Sequence, residues 1–148
     1  MKLEQIELFE SFTKDQLAKV AEIAEPVIFA ALETVFRVGD TSEEFFILVE
    51  GQMHVEFPQD DESSLVSVLL PVAIFGEVGL LQRLKRSASV VADEDGRALR
   101  IKNADFLGLL QGDADMAAKF YRSLSRVLFQ RLADTTEDLT LVRSAFSS

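Results

Sequence analysis

FGEVGLLQRLKRSASV, residues 75–90, is the stretch whose reading decides this chain. It opens on Gly76-Glu77, runs through a short apolar turn, and closes on Arg86 followed by small residues. Gly76 lacks a Cβ, so a ligand can approach the backbone there closely. Glu77 is an acceptor-only carboxylate suited to a sugar hydroxyl. Amides opening a short helix at Val78–Leu81 have no intrahelical partners and favour an anion. The planar fork of Arg86 matches phosphate oxygens two at a time. Ser87 adds a hydroxyl and Ala88 a close backbone amide. Together these residue types suit a ribose and a phosphate held side by side.

The string resembles the phosphate-binding cassette of the cyclic nucleotide-binding domain family, which includes regulatory subunits of cyclic-AMP-dependent kinase, cyclic-nucleotide-gated channels and the bacterial catabolite activator. The resemblance rests on Phe75, Gly76, Glu77, Val78, Leu80, Leu81, Arg86, Ser87, Ala88 and Val90. It implies that Glu77 holds the ribose 2′-hydroxyl and Arg86 the exocyclic phosphate oxygens. Amides of Gly76 to Val78 and Ala88 would complete the cradle, with Phe75 and Ser87 in the same ligand-binding set. Other segments resemble the family too: Leu8-Phe9 and Thr13–Ala24 as N-terminal helices, Phe36-Arg37-Val38-Gly39-Asp40 as a Gly-Asp turn, and Phe45–Val55 as a strand–Gly–strand hairpin. Two departures stand out. Leu70-Pro71-Val72-Ala73-Ile74 replaces a Gly-Asp turn before Phe75, and Lys85 replaces a common Pro, which loosens the approach to Arg86. Ser87 bears on the base, and the resemblance favours cyclic AMP over cyclic GMP. It leaves the base-capping residue somewhere in Phe120 to Leu132.

Composition sets independent bounds. A chain of 148 residues with 48% hydrophobic residues can bury one domain's core. No apolar run approaches the ~20 residues of a membrane span. The start, MKLEQIELFE, lacks a signal peptide's apolar core, so the expected location is cytoplasmic. A net charge of −10 argues against direct nucleic-acid binding. With no cysteine and one histidine, thiolate chemistry, cysteine-ligated metals and a Ser-His triad are not expected. No enzyme, cofactor or metal site is anticipated. His54 reads as structural, because no carboxylate stands at metal spacing beside it. Glu43-Glu44 and Asp60-Asp61-Glu62 read as solvated turn charges, and Arg83 and Lys85 as surface charges.

Periodicity outlines the elements. Thr13 caps a helix Lys14–Glu25 that Pro26 ends. Strands follow at Val27–Phe36, Phe45–Glu50, Gln52–Phe57 and Leu65–Leu69, with a polar stretch at Gln59–Ser64. Ser87–Ala92 and Arg97–Ile101 are joined through Asp93-Glu94-Asp95-Gly96. Asn103 caps Ala104–Gln111, and a long helix starts near Asp113 with Ala117, Phe120, Tyr121, Leu124, Val127, Leu128 and Leu132 in phase. Leu139, Val142 and Phe146 continue that phase. The expected fold is mainly β: a jelly-roll β-roll with N-terminal helices, a short cassette helix and a long C-terminal helix. One domain spans residues 1–148, with helices over about 3–25, the roll over about 27–102 and C-terminal helices over about 103–146. It is expected to stand alone, so that output falls to an unknown effector or to a homodimer through Phe120, Leu124, Val127 and Leu128. The alternative is a degenerate site kept for dimerisation or protein interaction.

Overall fold

A computed structural model describes residues 3–57, 67–80 and 85–146, and side chains within α3 as far as residue 133 except 131. Among the described residues eight strands form two four-stranded antiparallel sheets. The strands are β1 (Ala24–Phe29), β2 (Thr34–Phe36), β3 (Glu44–Glu50), β4 (Met53–Glu56), β5 (Ser67–Leu69), β6 (Ile74–Phe75), β7 (Ser89–Ala92) and β8 (Gly96–Lys102). The first sheet runs β1-β8-β3-β6 and the second β2-β7-β4-β5. Helices α1 (Lys14–Ile23), α2 (Asn103–Gly112) and α3 (Ala114–Phe146) join single 3₁₀ turns at Leu3–Gln5, Glu7–Phe9 and Glu77–Leu80.

The apolar run on β3 explains the layering. Phe45 and Ile47 join a core with Phe9, Val20, Phe106, Met116 and Phe120 from the turns and helices. Phe46 and Leu48 face the other way, into a core with Phe29, Met53, Phe75 and Val90. A strand covered on both faces reads as a continuous apolar run rather than an alternation. Phe106 is the hub of the first core, 4.9 Å from Phe120, 5.4 Å from Phe45 and 5.8 Å from Phe9 between ring centroids.

Several boundaries differ from the sequence expectation. Helix α1 ends at Ile23, because Ala24 is already extended and pairs with Ile101. Pro26 therefore lies in β1, an edge strand, where its missing N–H is tolerated. The expected strand Val27–Phe36 is broken by a turn at 30–33 in which Leu32 takes φ +71°. Its amide bonds to the Ala92 carbonyl at 2.8 Å, and the Asp95 carboxylate accepts from Ala31 N–H at 2.8 Å. Strand β6 enters the cassette but is not among the strands that periodicity outlines. Asn103 is the first residue of α2 rather than its cap, and its side-chain amide donates to the Ser42 carbonyl at 3.3 Å. The Gln59–Ser64 stretch lies outside the described residues.

Neither expected hairpin forms. The chain crosses from one sheet to the other at Gly51, between β3 and β4, and again at 93–95, between β7 and β8. The two crossings press together. A Cβ on Gly51, at φ +99°, would stand 3.0 Å from Gly96 Cα, and one on Gly96 would meet the Glu50 carbonyl oxygen at 2.3 Å.

Both long helices carry the caps expected of them. Thr13 and Gln16 form a reciprocal capping box. The Asp113 carboxylate accepts from Met116 N–H at 3.0 Å and starts α3. Gln16 is buried and donates to Asp113 and Asp115, each at 3.1 Å, tying α1 to the base of α3. On α3, Phe120 and Leu124 are buried in the chain's own core and Val127 packs against it, so they are not a free dimer face. Among the described side chains of α3, Tyr121, Leu128, Phe129 and Leu132 are the exposed large apolar residues. Side chains at 139, 142 and 146 lie outside the described residues.

Candidate functional site

The site is built where β6 turns into the 3₁₀ segment Glu77–Leu80 and where the chain re-enters β7. Gly76 has φ +79°, in the left-handed region, and a Cβ there would fall 2.6 Å from Arg86 Nη1. Its missing side chain thus makes room for Arg86, a nearer reason than approach to a ligand. The turn begins one residue earlier than expected, at Glu77, and Leu81 lies outside the described residues.

Two ionisable side chains are buried here, Glu77 at 6% exposure and Arg86 at 7%. Arg86 donates from Nη1 to the Gly76 carbonyl at 3.2 Å and from Nη2 to the Glu44 carbonyl at 2.5 Å. Its guanidinium carbon lies 4.0 Å from the centroid of the Phe36 ring, a cation–π contact. Its Nε is buried without a hydrogen-bond partner among the described residues. Burial lowers the Arg86 pKa, while the nearby carboxylates of Glu44, Asp40 and Glu77 act in the opposite sense. A cation held on neutral carbonyls with an unused N–H is a poor end state for a buried charge, and an anion would improve it.

The Gly39-Asp40 turn fixes the position of this arginine. Arg86 N–H donates to the Asp40 carbonyl at 2.7 Å, and Gly39 N–H to the Arg86 carbonyl at 2.8 Å. Lys85 is exposed as expected but bridges to Thr41, so the loosening expected from its replacing Pro is not seen at that residue. On the other side Val38 N–H donates to Ser89 Oγ at 2.9 Å. Two motifs that are separate in the sequence thus meet as one clamp.

The remaining expected residues separate into two groups. Phe75 stacks on Phe46 at 5.2 Å within the core between the sheets, and Ala88 is buried. Ser87 is exposed, and the side chains of Val78 and Arg83 are outside the described set. Phe36 and Glu44 were missed as site residues. Phe36 heads the Phe-Arg-Val-Gly-Asp motif, but nothing in its spacing points at Arg86.

His54 corrects one sequence inference. Strand pairing sets its Nδ1 against Asp93 and its Nε2 2.7 Å from Glu56, so it has carboxylates on both sides. Hydrogen bonding to Glu56 first, then to Asp93, raises its pKa. Among the described residues no His/Asp/Glu cluster could hold a metal, and no helix is long and apolar enough to cross a membrane. An open groove of about 550 Å³ lies elsewhere, lined by Glu7, Ser125, Arg126, Phe129 and Gln130.

The family model for the cyclic nucleotide-binding domain matches residues 26–113, more than half of the chain and all of the roll but the first two residues of β1. The chain belongs to the cyclic nucleotide-binding domain family. The cyclic-AMP-dependent protein kinase regulatory subunit of Dictyostelium discoideum is 35% identical over 94 residues, covering 61% of this chain and 29% of that protein. The catabolite activator protein of Thermus thermophilus superposes with a TM-score of 0.78 at 22% identity, covering 93% of this chain and 63% of that one. A structure described under a cyclic-GMP-dependent signalling pathway that regulates bacterial phytopathogenesis superposes with a TM-score of 0.65 at 34% identity, covering 79% and 94%. The chain spans under a third of the length of the curated relatives it matches.

Proposed function

We propose that this cyclic nucleotide-binding domain is a sensor, with Glu77 taking the ribose hydroxyl and Arg86 the cyclic phosphate. The observation that carries the reading is the buried Arg86 guanidinium, bonded to carbonyls with its Nε unused beside a buried Glu77. An anion supplies the charge-assisted bonds that carbonyls cannot. Cyclic AMP is the first choice of base and cyclic GMP the second; relatives described with each support testing both.

The signal would leave through α3. A ligand moves a helix only by binding one arrangement better than another. The exposed Tyr121, Leu128, Phe129 and Leu132 are the residues through which a second copy or an effector would sense that movement. Dimerisation and the effector belong to this proposal, as does the absence of catalysis.

A thermal-shift titration tests it. Ligand at ~100 times its dissociation constant adds about 2.7 kcal/mol of stability. That raises the midpoint of a domain this size by roughly 5–10 °C. The expected result is a shift with one cyclic nucleotide, none with 5′-AMP, and its loss in Arg86→Glu. No shift with either cyclic nucleotide would leave the alternative, an interaction module with a degenerate site.

A further inference from the structure

Arg86 is not the end of the charge pattern around the cassette. Glu44, whose carbonyl takes the Arg86 Nη2 bond, has its carboxylate 3.6 Å from Arg100 Nε. Arg100 is held in turn by Glu25, with bonds to Oε2 at 2.7 Å from Nη2 and 3.2 Å from Nε. The three residues lie on one face of the first sheet, since Glu25 pairs directly with Arg100 and Glu44 lies two residues before Arg100's partner Phe46. Lys102, opposite Glu44 in the register, makes no ion pair with it. The row Glu25–Arg100–Glu44 therefore ends against the phosphate-binding arginine.

We propose that Arg100 is a positioning residue for the phosphate site, drawing the Glu44 carboxylate away from Arg86. This rests on the nucleotide reading above. A carboxylate on the same residue whose carbonyl Arg86 uses opposes an incoming phosphate in two ways. It competes for the same guanidinium, and it repels the anion. Arg100 weakens both effects by offering Glu44 a second cation. Glu25 holds Arg100 on its far side and does not touch the site.

The test titrates cyclic AMP and cyclic GMP into the wild type, Arg100→Gln, Glu44→Gln, the double variant and Glu25→Gln, at low and high salt. Arg100→Gln should weaken binding about three- to fivefold, the scale of one partly exposed charge pair. The loss should be larger at low salt. Glu44→Gln should bind as tightly as the wild type or more tightly, and adding it to Arg100→Gln should restore affinity. Glu25→Gln breaks the surface pair alone and should leave affinity unchanged. Equal affinity in Arg100→Gln and wild type would overturn the proposal, as would a loss that Glu44→Gln does not rescue.

A second readout needs no ligand. The Arg86 Nε–H resonance, assigned by its disappearance in Arg86→Met, should move in Arg100→Gln and return in the double variant. If the wild type binds neither nucleotide, the sensor reading fails, and the phosphate-positioning role with it; this resonance then decides separately whether Arg100 draws Glu44 from Arg86. A resonance that stays in place in Arg100→Gln would overturn it.

Discussion

The cassette and the last helix break the usual rule of burial in opposite directions. At the cassette a carboxylate and a guanidinium are withdrawn from water, whereas on α3 Phe129 and Leu132 remain 75% and 63% exposed. A fold built only for stability would do neither, because charge is costly to bury and large apolar side chains belong inside. The cassette's departure is answered only in part within the chain, by carbonyls and the Phe36 ring, because Arg86 Nε is left without a partner among the described residues. On α3 the large apolar side chain of Phe129 stays mostly in water. On the proposed reading, the contrast separates an input region that takes a small anion from an output region that meets a larger surface.

The sharpest way to break that contrast is to cross it on α3 itself. Phe120→Ala removes a ring that is 1% exposed and packed edge-to-face against Phe106, and should cost about 3–5 kcal/mol in denaturant unfolding. Phe129→Ser, two turns and a half further along, should stay within about 0.5 kcal/mol of wild type, because no packing is lost. Equal costs would mean that the two faces of the helix are not distinct.

Gly76→Ala sharpens the cassette side. The φ of +79° and the 2.6 Å approach to Arg86 Nη1 predict a loss of more than about 1 kcal/mol and weaker nucleotide binding together. A variant that loses stability but keeps affinity would separate the glycine from the arginine it accommodates.

The smallest effect concerns His54, which belongs to neither region. Its flanking carboxylates raise its folded pKa above the ordinary value of about 6.5. The resulting stabilisation is fully present below that value and is lost as pH rises through the folded pKa. The wild-type melting midpoint should therefore fall between about pH 6 and about pH 8 relative to His54→Gln, whose profile should be flatter. Nucleotide affinity should follow the same pH course in both.

Much of the architecture was legible because it repeats locally. The helical phase around Phe120, the Thr13 cap and the turn glycines are short-range patterns, and the cassette is a contiguous string. What stayed hidden depends on pairing between distant residues. Ala30-Ala31-Leu32-Glu33 contains no turn-forming residue, yet it turns because Ala92 and Asp95 supply partners from across the roll. Gly51 and Gly96 read as hairpin glycines but serve crossings between sheets that pack against each other. In the candidate site, Glu77 and Arg86 are both buried and both stand in the contiguous string that the sequence singles out. Phe36, the Glu44 carbonyl and the Asp40 clamp were not legible there, because only the folded chain brings them to the guanidinium. The expected dimer residues Phe120, Leu124 and Val127 were in the right phase but on the inward side, since periodicity identifies a stripe without saying what covers it.

The central claim is that the buried Arg86 is kept for an anion rather than for stability. Isothermal titration of cyclic AMP and cyclic GMP into wild type and Arg86→Met, with the melting midpoint of each ligand-free protein, tests it most directly. The account predicts one site per chain for one nucleotide and a loss of about a hundredfold or more in Arg86→Met, equivalent to about 2.7 kcal/mol. It also predicts a ligand-free midpoint for Arg86→Met that is unchanged or higher, because replacing a buried charge by an apolar side chain is often neutral or stabilising. No binding to wild type, with a strongly lowered midpoint in Arg86→Met, would show that the arginine is structural and would contradict the account.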